Sequence, residues 1–187
     1  MRVFKSWRII LLIAYFIGRK ESKNYRAYEI KEESMSPSLF PGEYIFARLA
    51  KEKPKRGDVV IYENKEKQFD VVKRVIGLPG EKISAKDGTI YINSEIINDS
   101  WAQDLTSDFA EVEIGSKQVF VLGDNRSVST SDSRILGNIE WEDCYEVIYR
   151  YWPIDRLGQL WKNQITTTLN GVKFRVWELN QKLQRKT

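Results

Sequence analysis

The stretch F-D-V-V-K-R-V-I-G-L-P-G-E, residues 69–81, couples a run rich in β-branched residues to a Pro79-Gly80 turn. Such a run reads as a strand, because branched side chains pack well on a pleated surface and Pro-Gly ends the extended chain. In a strand, Val71, Lys73 and Val75 point to one face while Val72, Arg74 and Ile76 point to the other. Lys73 therefore shares its face with two valines. Most other lysines lie in charged stretches such as KEKPKRGD (51–58) and ENKEKQ (63–68). A lysine in a strand also has an ordinary reading, as a charge that guards a sheet edge against aggregation.

The same texture continues outward in both directions. Short β-branched and aromatic runs at 25–31, 43–47, 58–62, 69–76, 89–92, 95–97, 118–122 and 145–152 are expected strands. Turn signals at Pro41-Gly42, 54–57, Pro79-Gly80 and Asp87-Gly88 separate them. This is the pattern of an all-β domain of antiparallel, barrel-like sheets. TIYINSEII (89–97) predicts a tight hairpin, and the polar segment 98–117 predicts a surface excursion with one strand at 111–114.

Two segments flank this β-rich region. Residues 1–24 contain an apolar run, Ile9 to Ile17, bounded by Arg8 and by Arg19-Lys20. The run is short against the roughly 20 residues of a helical membrane span. A short anchor, an interfacial helix and a soluble core helix all fit it, and basic residues on both flanks leave orientation open. A β domain over 25–155 is then followed by a basic extension, 156–187, where Val172, Val176, Leu179 and Leu183 lie at helical spacing. That extension reads as a solvated helix, a frayed tail or a membrane-surface contact.

With 187 residues the chain has the length of one domain, and its lone Cys144 cannot form an internal disulfide. The sequence holds no histidine, so a zinc site would need an all-carboxylate shell and no structural metal is indicated. A net charge of +4 with spread basic residues fits a membrane surface as well as nucleic acid.

The missing histidine sharpens the question raised by ESMSPSL (33–39), where Ser34 sits before a methionine and near a proline. A Ser-His-Asp triad is excluded, yet a serine nucleophile needs a base. Lysine can serve when burial lowers its pKa from about 10.4 and leaves a neutral amine. Lys73, on its apolar strand, is the lysine that fits. A third cluster, VFVLGDNRSVSTSDSR (119–134), packs Asp124, Asn125, Arg126, Asp132 and Arg134 among hydroxyl residues. It is either a solvated polar turn or a set of hydroxyls orienting a lysine amine, with Asp/Arg pairs bracing the loop.

Taken in order, SMSPSL, RGDVV, KRVIGLPGE and GDNRSVSTSDSR closely resemble the sequence boxes of the type I signal peptidases, membrane-bound serine proteases with a Ser/Lys dyad. The resemblance covers about 25–153 and is to the compact form without the large insertion. It implies Ser34 as nucleophile and Lys73 as general base and later acid. Arg74, Asp124, Asp132 and Arg134 would be the supporting network, with Ser133 beside it. A hydroxyl that positions the lysine would be Ser129 or Thr130, because the box from Gly123 to Arg134 is one residue longer than usual. Counting from the left gives Ser129, the preferred reading, and from the right Thr130. Tyr28, Ile30, Met35, Leu39 and Val72 match substrate-pocket positions that admit small residues. Glu32 stands where some relatives supply an oxyanion-hole serine, and an ionised carboxylate cannot donate there.

The resemblance further implies a monomer on the extracytoplasmic side of the cell membrane, single-pass or peripheral. It would remove signal peptides from exported preproteins after small-x-small motifs, touching membrane lipid and using neither cofactor nor nucleic acid. A specialised maturation peptidase of the same fold and a non-catalytic preprotein-binding relative are the alternatives.

Overall fold

A computed structural model describes residues 24–65, 67–153 and 156–157, together with the backbone of Thr166–Leu169 and Val172–Arg175. The apolar N-terminal segment lies outside the described residues. Among them, no helix is long and apolar enough to cross a membrane.

The described residues are built almost wholly from antiparallel strands. They are β1 (Tyr25–Glu29), β2 (Tyr44–Leu49), β3 (Val59–Asn64), β4 (Phe69–Gly77), β5 (Lys82–Lys86), β6 (Thr89–Ile92), β7 (Glu95–Ile96), β8 (Phe109–Glu113), β9 (Gln118–Leu122), β10 (Ile139–Glu140) and β11 (Tyr145–Trp152). A hairpin, β12 (Thr166–Leu169) and β13 (Val172–Arg175), follows. One α-helical turn, α1 (Ser133–Leu136), and short 3-10 turns at Glu33–Met35 and Trp141–Asp143 interrupt them. Seven strands form one sheet in the order β1-β2-β11-β3-β4-β9-β10, and four form a second in the order β7-β6-β5-β8.

Every expected strand from 25 to 152 is present, with ends displaced by one or two residues. The hairpin at 89–97 has Asn93 and Ser94 at φ 50° and 70°, the left-handed pair that a tight two-residue turn demands. Strand β5 was not expected, since KISAK carries one branched apolar residue; its buried Ile83 and Ala85 nonetheless alternate with exposed or half-buried neighbours. The helical reading of the tail is corrected where β12 pairs with β13 from Thr166↔Arg175 to Leu169↔Val172. Three threonines favour a strand, and the intervening sequence Asn170-Gly171 is the strongest short hairpin signal. The rest of that reading, at Val176, Leu179 and Leu183, lies outside the described residues.

Strand β4 is the hub of the packing. Val72 packs against a core of Ile30, Met35, Leu39, Ile45, Ala47, Val59, Ile61 and Val147. Val71 and Val75 join a second core with Val60, Tyr62, Val119 and Val121, and Ile76 joins a third beneath the four-stranded sheet. The period-two alternation read from sequence thus separates two apolar layers, with Lys73 on the Val71/Val75 side.

The large sheet curls on itself. Residues of β1 and of the first half of β4, four places apart in strand order, line one cleft. Register shifts in β11 between Val147 and Tyr149 and between Arg150 and Trp152 mark bulges, which bend a sheet in this way.

Candidate active site

Ser34 sits in the short 3-10 turn Glu33–Met35, which β1 delivers to the rim of the cleft. Its carbonyl accepts from the Asn125 N–H at 3.1 Å, joining the turn to the loop after β9. That approach requires Gly123, since a Cβ there would lie 2.6 Å from the Ser34 carbonyl oxygen and 2.5 Å from Ser129 Oγ.

Lys73 reaches Ser34 from β4. Its Nζ lies 2.8 Å from Ser34 Oγ and donates to the Val72 carbonyl at 2.9 Å. Lys73 is 1% exposed, and burial pushes its pKa down to about 8. The carboxylates of Asp132, Glu32 and Asp124 act in the opposite sense, and the Arg134 charge assists the lowering. A useful fraction of neutral amine therefore exists near neutral pH, within reach of the serine hydroxyl proton.

The neighbouring cation is treated differently. Arg74 is bidentate to Asp124, with Nε to Oδ1 at 2.8 Å and Nη2 to Oδ2 at 2.6 Å. It also donates to the Gly57 carbonyl at 2.7 Å and to Ser38 Oγ at 2.9 Å. Asp132 accepts from Arg134 Nε at 3.0 Å and from Ser129 Oγ at 2.7 Å. Burial by itself would raise the Asp132 pKa, but the hydrogen bonds from Arg134 and Ser129 outweigh it and hold the carboxyl below its usual range. Ser133 Oγ accepts from the Val121 N–H at 2.9 Å.

These distances bring Ser34, Lys73, Arg74, Asp124, Ser129, Asp132 and Arg134 into one constellation. The two readings of the lengthened box now separate, because Ser129 is buried beside Gly123 and Ser34 while Thr130 is exposed. Ser129 directs its hydroxyl hydrogen to Asp132, and the Lys73 hydrogen bonds go to Ser34 and Val72. Ser129 hydrogen-bonds Asp132, whose charge acts on Lys73.

The cleft holds about 250 Å³ and is lined by residues 28–32, 34–35 and 69–73. Tyr28, Ile30, Met35 and Val72 are in its wall. Leu39 is not. It is fully buried in the core beneath, because its N–H bonds the Met35 carbonyl and turns the side chain inward. Glu32 is exposed at the cleft mouth, so its carboxylate faces water. Strand β1 pairs with β2 along one edge, and β4 pairs with β9 from Arg74 onward. Among the described residues, the outer edge of β1 and the edge of β4 at 69–73 carry no strand partner, and both border the cleft.

Sequence reasoning missed the bracing of the last loop by the excursion. Arg126 pairs with Asp99 at 2.6 Å, and Asp104 accepts from the N–H groups of Arg126 and Ser127. Trp101 lies under the Arg74 guanidinium at 5.4 Å and fills the space that Gly57 leaves. The only sequence signal was the supply of acids in 98–117 ahead of an arginine-bearing loop. Among the described residues there is no cluster of potential metal ligands.

The family described as "Signal peptidase, peptidase S26" matches residues 1–152. A signal peptidase I P of Bacillus subtilis subsp. natto is 31% identical over 164 residues, covering 80% of this chain and 88% of that protein. A signal peptidase I of Bacillus licheniformis is 36% identical over 131 residues, 62% of this chain and 70% of that protein. Signal peptidase IB of Staphylococcus aureus is 34% identical over 172 residues, 79% and 89%. A crystal structure of a signal peptidase I from Enterococcus faecalis aligns with a TM-score of 0.47 and 29% identity, covering 53% of this chain and 99% of that one.

Proposed function

The chain belongs to the signal peptidase family, peptidase S26, and from that premise we propose that it is a serine endopeptidase that removes N-terminal signal peptides from exported preproteins. The observation that carries the reading is the 2.8 Å contact between Ser34 Oγ and a buried Lys73 Nζ at the end of an open cleft. Neutral Lys73 takes the Ser34 proton as the oxygen attacks the scissile carbonyl. The Ser34 backbone N–H, in the first turn of its 3-10 segment, is the proposed donor to the oxyanion. The Lys73 ammonium then protonates the departing amine. Recovered as a neutral amine, Lys73 activates the water that hydrolyses the acyl-enzyme.

Substrate recognition follows from the two unpaired strand edges. An extended peptide lying between β1 and β4 gains main-chain hydrogen bonds, and its alternate side chains enter the wall formed by Tyr28, Ile30, Met35 and Val72. A space of about 250 Å³ suits small side chains one and three positions before the cut, the small-x-small pattern. Ser129, through Asp132, keeps the charges around Lys73 in place. The working unit is a monomer without cofactor or nucleic acid. Residues 1–24 anchor it or lie at the interface, residues 25–155 form the peptidase, and residues 156–187 form a basic extension. The site then works at the extracytoplasmic face of the membrane.

The test is incubation of a small-x-small preprotein with the full-length chain in lipid, beside Ser34→Ala. The expected result is a shortened product beginning after the second small residue, made by the parent alone. Equal cleavage by Ser34→Ala would remove the assignment of the nucleophile.

A further inference from the structure

Residues 37–43 carry the chain from the nucleophile turn into β2, and guanidinium groups bond this arm from both sides. On one side, Arg74 holds Ser38 Oγ while the rest of its guanidinium is locked onto Asp124 and the Gly57 carbonyl. On the other, Arg150 of β11 donates to the Ser38 carbonyl at 2.7 Å and meets Glu43 Oε2 at 3.3 Å. Arg156 donates from Nη2 to the carbonyls of Pro37 at 3.0 Å and Ser38 at 3.1 Å, and its Nη1 meets Glu43 Oε1 at 2.6 Å. Arg150 Nε bonds the Arg156 carbonyl, and the Arg156 guanidinium lies 4.5 Å over the Phe40 ring.

Arg150 is 1% exposed and Glu43 3% exposed, and the half-buried Arg156 side chain closes over them from outside. Two arginines share a single carboxylate, so the carbonyl oxygens of the arm serve as the remaining acceptors of their positive charge. Among the described residues, no backbone N–H bonds the Pro37 or Ser38 carbonyl, so the guanidinium groups supply what a strand ladder would supply elsewhere. The arm is tied back to the reacting turn by the Leu39 N–H on the Met35 carbonyl at 2.9 Å and by Ser36 Oγ on the Leu39 carbonyl at 3.4 Å. A shift of the arm therefore moves the turn that carries Ser34.

We infer that Arg156, together with Arg150 and Glu43, is a positioning residue that sets Ser34 against Lys73. Arg156, which lies beyond residue 152 where the family match ends, is then part of the catalytic unit. The inference rests on the peptidase reading. Arg156 does not touch the cleft, so it acts on turnover and not on peptide affinity, and a nucleophile displaced by a fraction of a bond length costs rate steeply.

The experiment uses the full-length chain in detergent with a small-x-small preprotein, comparing the parent, Arg156→Ala and Arg156→Lys. It measures kcat, KM and thermal unfolding, and repeats Arg156→Ala with added methylguanidinium. The expected result is a fall in kcat of about 10- to 100-fold in Arg156→Ala with KM within about twofold. Arg156→Lys should be intermediate, since an ammonium cannot span two carbonyls and a carboxylate, and methylguanidinium should restore part of the lost kcat. A kcat within about threefold of the parent in Arg156→Ala, or a loss that tracks the unfolded fraction in both variants and ignores methylguanidinium, would overturn the inference. A parent chain that cleaves nothing would overturn the peptidase reading and this inference with it.

Discussion

Lys73 and Arg74 are adjacent in β4, both almost fully buried, and held in opposite ways. Arg74 points to one face of the strand and meets a bidentate carboxylate, a carbonyl and a hydroxyl, which satisfy its charge. Lys73 points to the other face and bonds a hydroxyl and a carbonyl, with no carboxylate of the described residues within ion-pair distance. The buried guanidinium has its charge compensated by the Asp124 carboxylate. Burial without one pushes the lysine toward its neutral form, down to about 8. The pair separates a structural cation from a reactive amine through the chemistry of each head group, a guanidinium being far more basic than an amine, and through the partner placed opposite each.

The largest effect is expected from breaking the reactive member. Lys73→Met removes the base and should lower cleavage of a small-x-small preprotein by about 10²- to 10⁴-fold with the fold retained. Ser34→Ala should leave no acyl-enzyme route. A Lys73→Met chain with parental kcat/KM would erase the distinction between the two cations.

Breaking the structural member should act on stability instead. Asp124→Ala leaves a guanidinium buried without its carboxylate, a change that costs about 3–5 kcal/mol. Denaturant midpoints should show it. The double replacement Arg74→Met with Asp124→Leu should recover much of that loss, because a well-packed apolar pair needs no counter-charge. A double variant no more stable than Asp124→Ala would show that the hydrogen bonds to Gly57 and Ser38 matter more than the charge.

The lowered pKa of Lys73 has two signatures of opposite origin. In the rate, kcat/KM should rise with pH through about 8 as the amine loses its proton. In stability, the unfolded lysine binds its proton more tightly than the folded one, so the folded state gains from about pH 8 up to the ordinary lysine value of 10.5. Comparing unfolding curves of the parent and Lys73→Met across that window isolates the contribution, which should vanish in the variant. A parental rate flat from pH 7 to 9 would contradict the lowered pKa.

The smallest effect should come from Glu32, an exposed carboxylate whose charge favours the Lys73 ammonium. Glu32→Gln should move the acid limb of the rate profile to lower pH and leave the alkaline plateau in place. A collapse of the plateau would mean that Glu32 takes part in the chemistry itself.

Much of this arrangement is legible in the residues. The alternation of Val71, Lys73 and Val75 against Val72, Arg74 and Ile76 is local, and the structure keeps it. The absence of histidine left lysine as the base for a serine nucleophile, and apolar neighbours selected one. Reading failed where local signals were weak or competed. Strand β5 is held by its neighbours β6 and β8 and carries little propensity of its own. The tail's helical spacing lost at Val172, which β13 pairs with Leu169 of β12. Leu39 matched a pocket position in sequence, but the turn after Ser36 rotates it into the core.

The sequence by itself determined the strand texture, the face on which Lys73 lies and the exclusion of a histidine triad, because these depend on residue type and a two-residue period. The tertiary structure alone decided which cation meets a carboxylate. Asp124 lies 50 residues from Arg74, and Glu43 lies 107 residues from Arg150. Such pairings have no local period to read. They exist only once the sheet has curled and the loop after β9 has closed over Ser34, which is also when water leaves Lys73 and its pKa falls.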